Sequence, residues 1–151
     1  LAGCSREPAV PQSATDLTPR DADVETCTAC GMVVREQPAP RGQVIHRDGT
    51  RMFLCSLGDM LRYLEVPSPH GKPQAVFSES LDPDHALDDL DRTWHPWRAA
   101  ADLHFVFGVD RHGIMGAPVM AYETREAAAG AAKQFHGEVV SFSELQERYT
   151  E

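Results

Sequence analysis

Residues 27–32 read C-T-A-C-G-M: two thiols three positions apart, a glycine and a thioether. Thiolates and thioethers are soft donors. They select Cu(I) and, to a lesser degree, zinc or iron–sulfur clusters, whereas a hard cation such as calcium wants oxygen. Zinc takes cysteine and histidine and seldom methionine, so Met32 beside Cys27 and Cys30 tilts the choice toward copper. Gly31 lets the backbone turn sharply enough for Met32 to bring sulfur toward the same point as Cys30. Three other uses of the pair stay open. In an oxidising compartment Cys27 and Cys30 can form a disulfide. They can be a redox pair, although that motif belongs at a strand-to-helix turn, and the following V-V-R-E-Q-P-A-P-R-G is too broken for a helix. They can also be half of a structural zinc site. C-T-A-C with the later F-L-C-S is similar to treble-clef modules, but the place near Asp59 where a fourth cysteine would fall carries none.

Other donors are scattered along the chain. Cys55 lies between a strand-like run and a capped helix, where it can be an accessory sulfur or an ordinary buried residue. Met115 sits between Gly113 and Gly116 in G-I-M-G, a loop tip that presents sulfur as readily as it packs it. His46, on the strand leading to Asp48-Gly49, is a further candidate ligand. Met52, Met60 and Met120 read as core. His70, His85, His112 and His136 fall in turns or at a helix end, where histidine is ordinary. W-H-P-W, residues 94–97, reads as a hydrophobic clamp. The five aspartates between 82 and 91 lack the glycine and spaced oxygens of an EF-hand loop, so they read as a solvated face. There is no paired general acid and base, no Ser-His-Asp order, no phosphate loop and no nucleophile elbow, so the chain reads as a non-enzyme.

Two sets of elements must position these donors. From Gln43, a strand, an Asp-Gly turn and a second strand form a hairpin. Ser56-x-x-Asp59 is a capping box, and Leu57, Met60, Leu61 and Leu64 follow at helical spacing. V-P-S-P-H-G-K-P ends that helix, and A-V-F-S-E-S is the next strand. Residues 81–98 are polar and irregular, a linker. Then H-F-V-F-G-V and A-P-V-M-A-Y are strands around G-I-M-G. Thr124 caps a helix to about His136, with Gly137 as its stop. E-V-V-S-F is a strand, and Ser143-x-x-Gln146 caps a last short helix. The fold expected is α+β: two small β-β-α-β lobes packed together after a flexible N-terminal tether, with a cleft between them as a natural place for a site. The divisions are 1–25 for the tether, 26–98 for the first lobe with its linker, and 99–151 for the second lobe.

The chain has 151 residues and a formal net charge of −9, with 42% hydrophobic and 25% charged residues. Its basic residues are dispersed, which argues against nucleic acid as a partner. No run of 18 apolar residues occurs, so no helix is expected to span a membrane. The opening L-A-G-C matches a bacterial lipoprotein cleavage site. On that reading Cys4 becomes the lipidated N-terminus, the protein is periplasmic, and the Pro-, Ser- and Thr-containing residues 5–26 are its tether.

Taken together, C-T-A-C-G-M, F-L-C-S-L-G-D-M-L and G-I-M-G-A-P-V-M-A-Y-E-T-R-E-A-A-A-G-A-A-K-Q-F-H-G-E-V-V-S-F-S-E-L resemble the NosL family of nitrous oxide reductase accessory proteins. The resemblance spans roughly residues 25–147; W-R-A-A-A-D-L-H-F-V-F-G departs from the acidic-Ala version of that segment. It implies a lipoprotein that binds one Cu(I) and serves as a copper chaperone for the copper-sulfide centre of nitrous oxide reductase. It implies as partner an ABC membrane complex of NosDFY type, with a NosD-like periplasmic component. It implies two β-β-α-β lobes as the fold. Its ligands fall on Cys30, Met32 and Met115, with Cys27 beside them and His46 and Cys55 as further candidates. The residues alone leave two alternatives standing: a thiol–disulfide protein using Cys27 and Cys30, and a structural zinc module.

Overall fold

In the computed structural model, residues 16–87, 89–112, 114 and 116–150 are described. The β-rich runs flanking Asp48-Gly49 pair as a hairpin of β1 (Gly42–His46) and β2 (Arg51–Leu54), with Val44 opposite Met52. Ser56 ends the hairpin. Its Oγ accepts the Asp59 N–H at 3.1 Å, and α1 (Leu57–Glu65) starts there. The chain returns as β3 (Pro73–Glu79), antiparallel to β1. A short β4 (Trp97–Ala99) pairs with β3 and completes a sheet of order β2-β1-β3-β4.

The second lobe repeats the plan. Strands β5 (His104–Phe107), β6 (Val119–Tyr122) and β7 (Glu138–Val140) form a sheet of order β6-β5-β7, with α2 (Arg125–Phe135) between β6 and β7 and α3 (Phe142–Thr150) after β7. Thr124 Oγ1 accepts the Ala127 N–H at 3.1 Å, so the expected cap of α2 is present. Two details differ from the sequence reading. The left-handed residue that closes α2 is His136, at φ 59°, one position before Gly137. Helix α3 is capped by Ser141, whose Oγ accepts the Glu144 N–H at 3.2 Å; Ser141-x-x-Glu144 is the box, and Ser143 lies inside the helix.

The α+β class and the two β-β-α-β units stand as expected. The cleft expected between the lobes is filled instead by one shared core. Met60 and Leu61 of α1 and Leu54 of β2 bury in the same cluster as Phe105 and Ala121 of the second sheet and Leu145 of α3. Each of the Leu, Met and Phe side chains contributes roughly 1.5–3 kcal/mol when fully buried. Contact is close enough at Gly58 that a side-chain carbon there would lie 2.6 Å from Ala117 N. A glycine in the first turn of α1 is what lets the loop before β6 approach the helix start.

Residues 81–98 also differ from a solvated linker. Leu81, His85 and His95 are buried, and residues 97–99 are strand β4. Arg41 and Glu79, both fully buried, organise this segment. The pair is bidentate, with Arg41 Nε to Glu79 Oε1 at 2.6 Å and Nη2 to Oε2 at 2.9 Å. The other guanidinium N–H groups reach backbone carbonyls of Gln37 (3.1 Å), Arg92 (3.2 Å) and Thr93 (2.7 Å). Trp94 lies over the guanidinium at 3.7 Å, so the expected hydrophobic clamp is a cation–π contact. Trp97 Nε1 donates to Asp21 Oδ1 at 2.8 Å, and Ala22 is buried. The described part of the tether is thus fastened to the first lobe.

Candidate metal centre

The C-T-A-C-G-M segment is a tight knuckle strapped to the edge of β2. Cys27 N donates to Met32 O at 2.7 Å and Gly31 N donates to Cys27 O at 2.8 Å. Gly31 sits at φ 78°, where glycine carries no Cβ penalty. Thr28 N donates to Phe53 O at 3.0 Å, and Thr26 bridges Val33. This ties both cysteines to the end of the hairpin, which is where Cys55 leaves β2. The capped start of α1 adds Asp59, one turn beyond Cys55.

Four donors converge there. Cys30 Sγ lies 3.3 Å from Cys55 Sγ. Cys55 Sγ lies 3.4 Å from Asp59 Oδ2, and Cys27 Sγ lies 3.6 Å from the same oxygen. The four ligand atoms all fall within 4.8 Å of one another. Sulfur ligands bound at about 2.3 Å in a tetrahedron stand about 3.8 Å apart, so these donors need only small shifts to close on one ion. Cys27 and Cys55 are 2% exposed, whereas Cys30 is half-buried and forms the open side. All three are free thiols.

The thiols do not ionise alike. Cys27 is held down at about 6, first because the Cys55 S–H donates to it, then because backbone amides of Cys55, Cys30 and Ala29 point at it; burial opposes this. Cys30 is raised, chiefly by burial. Cys55 is raised, first by the hydrogen bond it gives Cys27 and then by burial. Cys27 is therefore the first of the three to give up its proton; while protonated, it and Cys55 face Asp59 Oδ2 as S–H donors.

The remaining candidates are placed as follows. Met32 carries its side chain 44% exposed on the same knuckle. The structure does not bring His46 to the thiols: its ring nitrogens are taken by Gly71 O at 2.8 Å and Tyr63 OH at 2.5 Å. Met60 and Met120 are core, as read. Met52 is half-buried, and its Sδ accepts the Thr28 hydroxyl at 3.4 Å. A surface groove of about 400 Å³, lined by Thr28, Ala29, Met52, Tyr63, Val66 and His70 among others, runs beside the knuckle. Met115 and Cys4 lie outside the described residues; Gly116, next to Met115 in sequence, packs against Gly58 at the start of α1. Sequence reasoning put Cys55 among the lesser candidates and gave Asp59 no ligand role. The available signal was their i, i+4 spacing across the Ser56 cap, which places both at the helix start.

Fold and site together define a class: a small two-lobed α+β protein with a thiol-rich, one-side-open cluster able to hold a soft metal ion. The NosL family model matches residues 20–150, and the chain belongs to the NosL family. A copper-binding lipoprotein NosL of Stutzerimonas stutzeri is 27% identical over 154 residues, covering 96% of this chain and 73% of its own length. The crystal structure of the copper chaperone NosL from Shewanella denitrificans aligns with a TM-score of 0.69 at 22% identity, over 84% of this chain and 94% of that one. The solution structure of apo-NosL from Achromobacter cycloclastes aligns with a TM-score of 0.50 at 20% identity, over 68% and 82% of the two chains. At these identities the structural likeness concerns the fold.

Proposed function

We propose that this protein is a Cu(I) carrier whose cargo sits at the Cys27–Cys30–Cys55 cluster, with Cys30 as the central ligand. The observation that carries the reading is the convergence of three thiols at one point with a single half-exposed sulfur at the mouth. Three sulfurs against one hard carboxylate oxygen make a predominantly soft donor set, which suits a soft monovalent ion. The names of the Stutzerimonas and Shewanella relatives, a copper-binding lipoprotein and a copper chaperone, support the same choice. Met32, exposed on the knuckle, and Met115, between β5 and β6 in sequence, are the thioethers that would complete or exchange the shell.

Transfer in this reading is ligand exchange. The buried Cys27 and Cys55 hold the ion from behind. A partner's thioether or imidazole adds from the Cys30 side and displaces one sulfur, and no bond in a substrate is made or broken. The wider role we infer is the one the family resemblance implies. The carrier would be lipid-anchored through Cys4 in the periplasm and would work with a NosDFY-type ABC complex. Its copper would serve maturation of the copper-sulfide centre of nitrous oxide reductase. Anaerobic Cu(I) titration of the reduced protein against a chromogenic Cu(I) chelator tests the carrier reading. One tight equivalent in the wild type, lost in Cys30→Ser, supports it; failure of the wild type to compete with the chelator contradicts it.

A second reading has an observation of its own. With Asp59, the cluster is a complete four-donor shell, which suits structural zinc. That reading requires the fold to depend on metal. The metal-free protein would then unfold on chelation, whereas a carrier stays folded, since Leu54, Met60, Phe105 and Leu145 bury in the shared core with or without metal at the thiols.

A further inference from the structure

The three thiols are not equivalent toward oxidants. The C-x-x-C spacing directs attention to Cys27 with Cys30, but the sulfurs are arranged otherwise. Cys30 Sγ stands 3.3 Å from Cys55 Sγ, 25 residues away in sequence. Cys27 Sγ is turned to Asp59 Oδ2 at 3.6 Å, and its residue is 2% exposed. Cys30 is the half-buried one of the three, so an oxidant meets it first, and Cys55 is the sulfur in contact behind it. Knuckle and hairpin hold that contact in place, through Thr28 N to Phe53 O at 3.0 Å on one side and the Ser56 cap directly after Cys55 on the other.

We propose that Cys30 and Cys55 form a modification site: a dithiol that exchanges with low-molecular-weight disulfides to give a Cys30–Cys55 disulfide, leaving Cys27 free. Cys30 loses its proton and its sulfur attacks one sulfur of R–S–S–R. That S–S bond breaks, and RS⁻ leaves and takes up the proton. A mixed disulfide now stands on Cys30. Cys55 loses its proton in turn and attacks the Cys30 sulfur. The second RS⁻ leaves and is protonated. Two protein thiols are oxidised, one R–S–S–R is reduced to two R–SH, and one new S–S bond closes. Bond formation needs the sulfurs to approach from 3.3 Å to about 2.05 Å, a shift within side-chain reach. If the cluster carries Cu(I) as proposed above, this step removes two of the three thiols. Oxidation and loading then exclude one another, and loading needs a reduced dithiol.

The test uses the full chain, reduced and metal-free, incubated anaerobically with oxidised glutathione, quenched in acid, alkylated and digested with trypsin. The expected product joins the peptide of residues 21–35 to the peptide of residues 52–62. Fragmentation places the link at Cys30 and the alkyl group at Cys27. In Cys55→Ser the cross-link disappears and glutathione stays bound to Cys30. A disulfide within the 21–35 peptide, with Cys55 alkylated, would overturn the assignment; so would a link from Cys30 to Cys4. Repeating the reaction on protein preloaded with one equivalent of Cu(I) separates the two proposals. Loss of the cross-link supports shared sulfurs. An unchanged cross-link leaves the dithiol assignment standing and counts against copper at these thiols.

Discussion

The first lobe contains two buried polar clusters, and they are built on opposite terms. At the ends of the two central strands, β1 and β3, Arg41 and Glu79 form a closed network. Both Glu79 oxygens accept from Arg41, Glu79 Oε1 also accepts the Arg41 N–H at 2.8 Å, and Oε2 accepts the His95 N–H at 2.8 Å. The guanidinium spends its remaining donors on carbonyls of the segments on either side. At the adjoining end of the edge strand β2, Cys27, Cys30, Cys55 and Asp59 meet through weak contacts of 3.3–3.6 Å, and one sulfur faces out. A satisfied, sealed network fixes a fold. A cluster of strong soft ligands holding one another only weakly, open on one side, retains its capacity for something else.

Breaking each cluster should sharpen that contrast. Glu79→Ala leaves a fully buried guanidinium charge without its carboxylate. The expected loss is about 3–5 kcal/mol, seen as a large fall in Tm or in soluble yield. The folded fraction should still take up one Cu(I), because the hydrogen bonds of Arg41 and Glu79 go to one another and to backbone groups, not to the thiol corner. Cys30→Ser should do the reverse. Its side chain is half-exposed, so the metal-free Tm should move little, while Cu(I) affinity falls at least about tenfold, or roughly 1.4 kcal/mol. A Cys30→Ser protein that melts far below the wild type would erase the distinction between the clusters.

Proton release tests the thiol corner by another route. Cys27, at about 6, is already a thiolate at pH 7.5, whereas Cys30 and Cys55 are raised and protonated. Binding one Cu(I) to all three should therefore release about two protons at pH 7.5 and about three below pH 5, and affinity should weaken as pH falls. Calorimetry in buffers of different ionisation enthalpy measures that count. A value near zero at pH 7.5 would show that Cys30 and Cys55 do not bind as thiolates. The smallest effect belongs to the support of the site. Ser56→Ala removes the α1 cap and should cost about 1 kcal/mol by denaturant unfolding, with a modest fall in Cu(I) affinity because Asp59 and Cys55 flank it.

What the sequence disclosed follows the range of each interaction. Local signals were legible: the Asp-Gly hairpin, the Ser56 and Thr124 caps and the helical spacing of Leu57, Met60 and Leu61 all lie within a few residues of what they control. They were enough for two β-β-α-β units. That the units pack together was expected, but not that one core fills the place of a cleft, because nothing local says that Gly58 will meet Ala117. Arg41 and Glu79 went unread for the same reason: they are 38 residues apart, and single charged residues look like surface until a partner is known. At the site, C-T-A-C-G-M announced its chemistry through residue type and spacing. Cys55 and Asp59 come from another element, and only the Thr28–Phe53 strap brings the knuckle to them. His46 was a plausible ligand by type, but Gly71 O and Tyr63 OH occupy its ring nitrogens.

X-ray absorption at the copper edge of the singly loaded protein tests most directly the proposal that the cargo is Cu(I) held by sulfur. The proposal requires a Cu(I) edge with two or three sulfur neighbours, one of which is lost in Cys30→Ser. A first shell dominated by nitrogen or oxygen, or one unchanged in Cys30→Ser, would contradict it.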